Sequence, residues 1–226
     1  YNREIPEIPV DEKLLEEALS ELNSMIGMVK VKEQITELVS LVRFYRESGK
    51  DVLNNFFLHT AFIGNPGTGK TTVARILTKI YRALGMLERG HMVETDRQGL
   101  VAGFVGQTAI KTAEKIEESK GGVLFIDEAY ALSERRGNND FGGEVIQTLL
   151  KRMEDHRGEF FIFVAGYPDN MESFLKANPG LNSRFDKMLK FEDYSPKELT
   201  QIALMMLEEK AVIPTPEAEK HLRNYF

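Results

Sequence analysis

The sequence contains no cysteine, which excludes disulfide bridges and thiolate metal sites. It also has no apolar run approaching the about 18 residues of a membrane helix, so no membrane span is predicted. Positive charge is not in excess either, since the net charge is −6 and the pI is about 5.4. A general nucleic-acid-binding protein is usually basic. The composition therefore argues against that class, although it leaves room for a local basic patch.

Histidine is scarce, and its four copies lack the spacing of metal ligands, so we expect each to be a surface or packing residue: His59, His91, His156 and His221. The opening stretch YNREIPEIPV is polar and interrupted by proline, unlike a signal peptide. A start at Tyr rather than Met suggests a fragment or trimmed chain. We therefore expect a cytoplasmic protein.

The 226 residues, 42% of them hydrophobic, suffice for one large domain, or one with a small appendage. Short apolar runs alternate with helical patterns, which predicts an α/β fold with a parallel five-stranded sheet and helices on both faces. We divide the chain into a tail and helix (1–24), the α/β domain (25–191) and a small helical subdomain (192–226). The predicted strands are 56–64, 91–96, 122–126, 159–166 and 187–191.

The stretch GNPGTGKTT (64–72) contains the complete pattern G-x-x-x-x-G-K-T. Its glycines let the backbone curl so that successive N–H groups face a phosphate, and the helix that begins near Gly69 adds its positive end. Lys70 places a charge on the β- and γ-phosphates, and the Thr71 hydroxyl is a ligand for Mg²⁺. The alternative is a chance glycine turn. Because the motif lies between a predicted strand and a predicted helix, we predict a phosphate-binding loop.

The stretch VLFIDE (123–128) ends a predicted buried strand in two carboxylates. The strand delivers Asp127 to the carboxyl edge of the sheet, next to the phosphate loop, where it would hold Mg²⁺ through water. Glu128 can then polarise the attacking water as a general base. Two solvated acids at a strand end are the alternative. The predicted strand 91–96 between Lys70 and Asp127 favours hydrolysis, because P-loop ATPases with this extra strand carry the catalytic glutamate.

Six stretches together resemble the AAA+ ATPases, within the group of red-type rubisco activases, stage V sporulation protein K and type VII secretion ATPases. They are GNPGTGKTTVAR, LVAGFVGQTAIKT, GGVLFIDEAYAL, DFGGEVIQTLLKRMEDHR, AGYPDNMESFLKANPGLNSRF and FEDYSP. The resemblance covers about residues 20–226 and implies a P-loop NTPase (AAA+) fold with a helical lid that starts at 192. It also implies ATP and Mg²⁺ as cofactors, and a homo-oligomeric ring, a hexamer, that acts on a protein substrate.

The resemblance also implies roles for individual residues. Ile26 and Gly27 lie against adenine, where the alternative is a plain turn between helices. Arg184 is an arginine finger that reaches the nucleotide of a neighbouring subunit, where the alternative is a surface arginine paired with Asp186. The implied nucleotide contacts are Ile26, Gly27, Asn65, Pro66, Gly67, Thr68, Gly69, Lys70, Thr71, Thr72 and Asp127.

Two loops are implied to face a central pore. Phe104, Val105 and Gly106 resemble an aromatic pore loop, which grips an extended polypeptide by contact area without sequence preference. The alternative is a phenylalanine tucked under a turn. Arg135 and Arg136 resemble a second pore loop, and a solvated charged loop is an equal alternative.

The chain departs from the group in two respects. Tyr167 falls near the position of a polar residue, often asparagine, that orients the attacking water, and Asn170 is a weaker candidate for that role. A second nucleotide-contacting arginine, carried by a longer lid, does not occur within these residues, so either the chain is cut within its lid or the protein departs from the group.

The sequence therefore predicts an ATPase that hydrolyses ATP and remodels or threads a protein through a ring. One alternative is a nucleic-acid-associated ATPase of clamp-loader or initiator type, against which the acidic balance and the Phe104 loop argue. Another is a nucleotide-dependent scaffold with little hydrolysis, which Glu128 and Arg184 disfavour and the departure at Tyr167 leaves open.

Overall fold

A computed structural model describes residues 8–104, 106–134 and 141–226. Strands and helices alternate along these ranges, as the α/β prediction requires. The elements are α1 (Glu12–Ser24), α2 (Val29–Glu47), α3 (Val52–Asn55), β1 (Thr60–Ile63), α4 (Lys70–Ala83), β2 (Met92–Thr95), α5 (Arg97–Leu100), α6 (Gln107–Ser119), β3 (Val123–Ile126), a 3₁₀ helix (Ala129–Leu132), α7 (Gly142–Asp155), β4 (Phe161–Gly166), α8 (Pro168–Ala177), α9 (Pro179–Asn182), β5 (Lys187–Lys190), α10 (Pro196–Glu209) and α11 (Pro216–Tyr225).

The five strands form one sheet in the order β2-β3-β4-β1-β5, and all neighbouring pairs are parallel. This confirms the predicted five-stranded parallel sheet. In such a sheet the carboxyl ends of all strands meet at one edge, and ligands bind outside that edge where the strand order reverses. The segments that follow β1, β3 and β4 therefore lie side by side at the carboxyl edge.

Helices cover both faces of the sheet, also as predicted. Successive side chains of a strand point to opposite faces. On one face Phe62, Phe125 and Phe163 pack against α1, α2 and α4. On the other, Leu124 and Ile162 pack against α6, α7 and α8. Because both faces are covered, the inner strands are continuous apolar runs without polar alternation.

The structure corrects the predicted boundaries between α2 and β1. The predicted strand 56–64 is a strand only from Thr60, because Leu58 has a left-handed backbone (φ 59°) that interrupts the extended chain. The predicted polar loop before it contains the short helix α3. There Asp51 accepts a hydrogen bond from the backbone N–H of Leu53 (2.8 Å), and the side chain of Val52 is buried.

The C-terminal segment is helical, as predicted after Phe191. Ser195 and Glu198 form the expected capping box at the start of α10, and the Thr215 side chain caps α11. Thr200 is the only buried residue that either helix contributes among the described residues. The helix α1, by contrast, packs into the same core as the sheet. The division of the chain at residues 24 and 191 stays a prediction.

No helix among the described residues combines the length and the apolar character of a membrane span.

His59 is a packing residue inside the core and is only 4% exposed. Its Nδ1 accepts a hydrogen bond from the backbone N–H of Ile162 (2.9 Å). Burial, with smaller contributions from the charges of Arg184 and Arg157, lowers the pKa of His59 to about 3. The folded protein therefore keeps His59 neutral down to that pH, whereas the unfolded chain protonates it near its ordinary pKa of about 6.5.

Between these two pKa values the unfolded state binds the extra proton, so the free energy of unfolding falls as the pH falls. From pH 7 to pH 5 we expect His59 to account for a loss of about 2 kcal/mol. This loss in the free energy of unfolding is measured by urea unfolding of the wild type and of His59→Gln at both pH values. The variant is less stable at pH 7 but loses less on acidification. His221→Gln, on the exposed surface of α11, is the control. An unchanged pH dependence in His59→Gln would contradict the expectation.

Candidate nucleotide-binding site

The phosphate loop lies between β1 and α4, at the carboxyl edge of the sheet. Gly67 (φ 73°) and Gly69 (φ 90°) adopt left-handed backbone conformations that favour glycine. Gly69 is the N-cap of α4, so the free N–H groups of the first helical turn open towards the loop. A curled backbone that ends at a helix N-terminus can bind a phosphate.

The side chain of Lys70 is folded under this loop. Its Nζ donates to the carbonyl oxygens of Gly64 (2.8 Å) and Asn65 (2.7 Å), and the Thr68 hydroxyl donates to the same Asn65 oxygen (2.7 Å). Burial lowers the pKa of Lys70, and the charge of Asp127 acts in the opposite direction. The charge of Asp127, at the same edge of the sheet, therefore acts on Lys70.

Two contacts that the sequence did not reveal join the phosphate loop to the segment before α10. The Asn65 amide donates to both carboxylate oxygens of Asp193 (3.0 Å each). The Tyr194 hydroxyl donates to the Thr68 carbonyl (3.5 Å). The only sequence signal was the stretch FEDYSP, which pointed to the family without indicating the contact. Hydrogen bonds therefore join the phosphate loop to the start of the helical segment.

The predicted adenine-contacting turn also reaches the phosphate loop. Ile26 and Gly27 are both half-buried between α1 and α2. A Cβ on Gly27 would lie 2.6 Å from Glu198 Oε1, and a Cβ on Gly69 would collide with the Met28 side chain. The structure therefore places the turn between the loop and α10, with little space at either glycine.

The two carboxylates follow β3 and are exposed. The backbone N–H of Asp127 donates to Thr95 O (2.9 Å), and Asp127 Oδ1 accepts from the backbone N–H of Glu128 (3.0 Å). Glu128 has a left-handed backbone (φ 47°, ψ 43°), uncommon outside glycine. The Tyr167 hydroxyl, at the end of β4, lies 3.5 Å from Glu128 Oε1. The structure therefore connects Tyr167 to Glu128, a contact that the sequence did not specify, and a water-orienting role at this position stays a prediction.

The oxygen donors Thr71 and Asp127 have the chemistry that Mg²⁺ prefers. Mg²⁺ usually keeps several waters and takes one or two protein ligands together with the substrate phosphates. Among the described residues no group of three or more His, Cys, Asp or Glu could hold a metal ion by itself. The donor set fits a metal that arrives with the nucleotide.

Arg184 follows α9 and is bound within its own chain. Its guanidinium donates to Glu154 Oε2 and to Gly180 O (3.0 Å each), and its side chain is 22% exposed. Its Nε is buried and has no partner among the described residues. Among the described residues its acidic partner is Glu154 rather than Asp186, whose carboxylate accepts from the backbone N–H of Phe57 (3.2 Å).

Phe104 lies in the segment between α5 and α6, and its side chain is 71% exposed. It is therefore not tucked under a turn, which was the alternative. Gly106 (φ 78°) is the N-cap of α6. Ala102 anchors the base of the segment, since its backbone N–H donates to Thr108 Oγ1 (3.0 Å). The predictions for Val105 and for Arg135 and Arg136 lie outside the described residues.

Comparison with known proteins agrees with this geometry. Residues 60–193 match the ATPase family associated with various cellular activities (AAA). The chain is 42% identical to stage V sporulation protein K of Bacillus subtilis (strain 168) over 214 residues. This match covers 94% of this chain and 66% of that protein. It is 43% identical over 212 residues to protein CbbX of Cereibacter sphaeroides, covering 92% of this chain and 69% of that protein.

Among solved structures, a RuvB P216G mutant of Thermotoga maritima superposes with a TM-score of 0.57 at 23% identity, covering 84% of this chain and 55% of that chain. This likeness concerns the fold alone. The chain thus spans about two thirds of the two relatives above and about half of RuvB. The chain belongs to the AAA family of ATPases, in the group of stage V sporulation protein K and CbbX, and is a nucleotide-binding protein with ATPase activity.

Proposed function

We propose that ATP and Mg²⁺ bind at the carboxyl edge of the sheet. Lys70 contacts the β- and γ-phosphates, Thr71 is a direct ligand of the metal, and Asp127 holds it through water. Glu128 acts as the general base that orients the attacking water. The observation that supports these roles is the strand order β3-β4-β1, in which Glu128 and the loop of Lys70 lie at the same edge of the sheet, one strand apart, although they are far apart in sequence.

The proposal includes action of Arg184 on the nucleotide of a neighbouring subunit. Its partners within its own chain are Glu154 and Gly180, both on the side of α7 and α9. An arginine supplied in trans stabilises the charge that develops on the transferred phosphoryl group. Such a site is complete only in an assembly, so we propose a homo-oligomeric ring, a hexamer by analogy with AAA proteins.

We further propose that this ring remodels or threads a protein substrate through its pore. The observation that carries this proposal is the exposure of Phe104, a large apolar side chain that no core residue covers. An aromatic ring on a glycine-flanked loop can grip a polypeptide of any sequence through apolar contact. Hydrolysis of ATP, with Glu128 as the general base, would then move the loop that carries Phe104.

Phe104→Ala tests the remodelling. We expect the variant to retain ATPase activity within about a factor of two, because Phe104 makes no contact with the nucleotide site, and to lose remodelling, because the gripping surface is removed. ATPase activity and ATP-dependent unfolding of a tagged model substrate are measured in parallel. Phe44→Ala, which removes another exposed phenylalanine (58%) from α2, is the matched control. Full remodelling by Phe104→Ala would refute the pore-loop role.

The rival function is action on nucleic acid. It is suggested by the fold shared with the RuvB Holliday junction branch migration motor of Thermotoga maritima. The net charge of −6 disfavours it for this chain. A nucleic-acid motor would show ATPase activity that rises with added DNA or RNA and that falls steeply with salt. We expect no such stimulation.

A further inference from the structure

The segment that follows β5 lies beside the phosphate loop, because β1 and β5 are parallel neighbours and both chains continue past the carboxyl edge of the sheet. The backbone N–H of Phe191 donates to Ile63 O (2.8 Å), which extends the pairing by one residue beyond the strands. A Cβ on Gly64 would lie 2.7 Å from Cβ of Phe191, so the two chains are in close contact there. The segment 191–194 therefore borders one side of the loop.

Two side chains of this segment hold the loop at separate points. Near the start of the loop, the Asn65 amide donates to both carboxylate oxygens of Asp193 (3.0 Å each). Further along, the Tyr194 hydroxyl donates to Thr68 O across 3.5 Å, a long hydrogen bond. The contact between Asn65 and Asp193 is the stronger of the two, because it is shorter and its acceptor is charged.

The backbone carbonyl of Asn65 connects the same residue to Lys70. It accepts from Lys70 Nζ (2.7 Å) and from the Thr68 hydroxyl (2.7 Å). Asn65 is thus held from outside the loop through its side chain and from inside the loop through its main chain. Fixing the position of Asn65 therefore fixes the part of the loop that curls over Lys70.

The middle of the loop depends on such anchors, because its glycines make the backbone flexible. Gly67 (φ 73°) and Gly69 (φ 90°) take left-handed conformations that are only two of the many open to glycine. A Cβ on Gly67 would meet no atom of the described residues within 4 Å, so packing does not hold the loop at that point. Ordering a flexible backbone when a ligand binds costs free energy. A loop that already has its curled shape therefore binds phosphates more tightly.

We infer that Asp193 is a positioning residue for nucleotide binding, which holds Asn65, and through it the phosphate loop, in the curled shape that accepts phosphates. This inference rests on the proposed contact of Lys70 with the phosphates of ATP. The charge of Asp193 by itself has the opposite effect, since a carboxylate beside the loop repels the phosphates of a nucleotide. An acid at this position is therefore explained by the anchor that it provides rather than by attraction of the ligand.

The test removes the anchor with Asp193→Ala. We expect the Kd and the KM for ATP to rise about three- to tenfold, the effect of one net hydrogen bond, although the substitution removes a repulsive charge. At saturating ATP, kcat should fall less than about twofold, because a bound nucleotide meets the same catalytic groups. Binding of a fluorescent ATP analogue and steady-state phosphate release measure these quantities. Glu192→Ala, which removes the neighbouring acid and its ion pair with Lys30, is the matched control.

Two further variants show whether the effect passes through Asn65. Asp193→Asn retains an oxygen that accepts from the Asn65 amide, so most of the affinity lost in Asp193→Ala should return. In the Asn65→Ala background, Asp193→Ala should cause no further loss of affinity, because the group that Asp193 holds is already absent. An equal loss in that background would overturn the inference, and so would wild-type or tighter ATP binding in Asp193→Ala.

A separate variant distinguishes failure of this inference from failure of the proposed function. Lys70→Ala should lose ATP binding, because the phosphates are proposed to lie at this loop. If Lys70→Ala binds ATP as the wild type does, the proposed phosphate contact fails, and the inference fails with it. If Lys70→Ala loses ATP binding while Asp193→Ala binds normally, only the inference fails.

Discussion

Glu128→Gln is expected to bind ATP normally and to lose turnover by about 10²–10⁴-fold, the usual contribution of a general base. The amide has nearly the same shape as the carboxylate but carries no charge and cannot accept the proton of the attacking water. Binding should persist because the phosphate loop and Asp127 are unchanged. Steady-state phosphate release and equilibrium binding of a fluorescent ATP analogue measure the two quantities separately.

The matched control for this change is Glu114→Gln, which neutralises an exposed glutamate on α6 away from the carboxyl edge. It should hydrolyse ATP at the wild-type rate. Full turnover in Glu128→Gln would assign the base role to another group.

Arg184→Ala is expected to lower kcat by about 10³-fold or more, the range found for arginines that act on a transferred phosphoryl group. Nucleotide binding should change little, because Arg184 stabilises charge that develops only during cleavage. Arg184 also forms hydrogen bonds with Glu154 and Gly180 in its own chain, so its removal could lower kcat by disturbing that chain alone. The experiment must therefore show that the lost activity belongs to the nucleotide site of the neighbouring subunit. Mixing Arg184→Ala chains with Lys70→Ala chains provides this evidence.

In mixed rings, an intact phosphate loop of an Arg184→Ala chain can meet an intact Arg184 of a Lys70→Ala chain, so partial activity should return. Demonstrably mixed rings without rescue would contradict action in trans. Glu154→Gln breaks the ion pair but keeps Arg184, so it should remain far more active than Arg184→Ala. This comparison distinguishes loss of the ion pair from loss of the arginine finger. Arg43→Ala, which breaks the exposed pair with Glu12, is the control for losing an arginine–glutamate pair.

Much of the fold was predictable because its signals are local. The apolar runs of β3 and β4 and the capping box at Ser195 each lie within a few residues of sequence. The boundary at β1 was wrong for the opposite reason. The run from Phe56 reads as one strand, but the left-handed backbone of Leu58 breaks it. A positive φ at a leucine is imposed by its surroundings and leaves no mark in the pattern of apolar residues.

The features of the candidate site also fall into those with a local sequence signal and those without one. Lys70, Thr71 and Asp127 could be proposed from motifs, because phosphate binding requires a fixed spacing along one loop and its helix, and their roles stay predictions. The partner of Arg184 was not predicted. The sequence suggested Asp186, which is close in the chain, whereas the observed partner Glu154 is close only in space. Nothing in the stretch DEAYAL indicated that the Tyr167 hydroxyl would reach the carboxylate of Glu128.

By itself the sequence determined the α/β class, the phosphate loop and the two carboxylates after β3, because each depends on residues close together in the chain. The tertiary structure alone decided the strand order β2-β3-β4-β1-β5 and the contacts at its carboxyl edge. Parallel strands pair across long connections, so their order depends on how helices pack on both faces rather than on any local stretch. That order brings Tyr167 to Glu128 and both to the edge of the sheet that carries the phosphate loop.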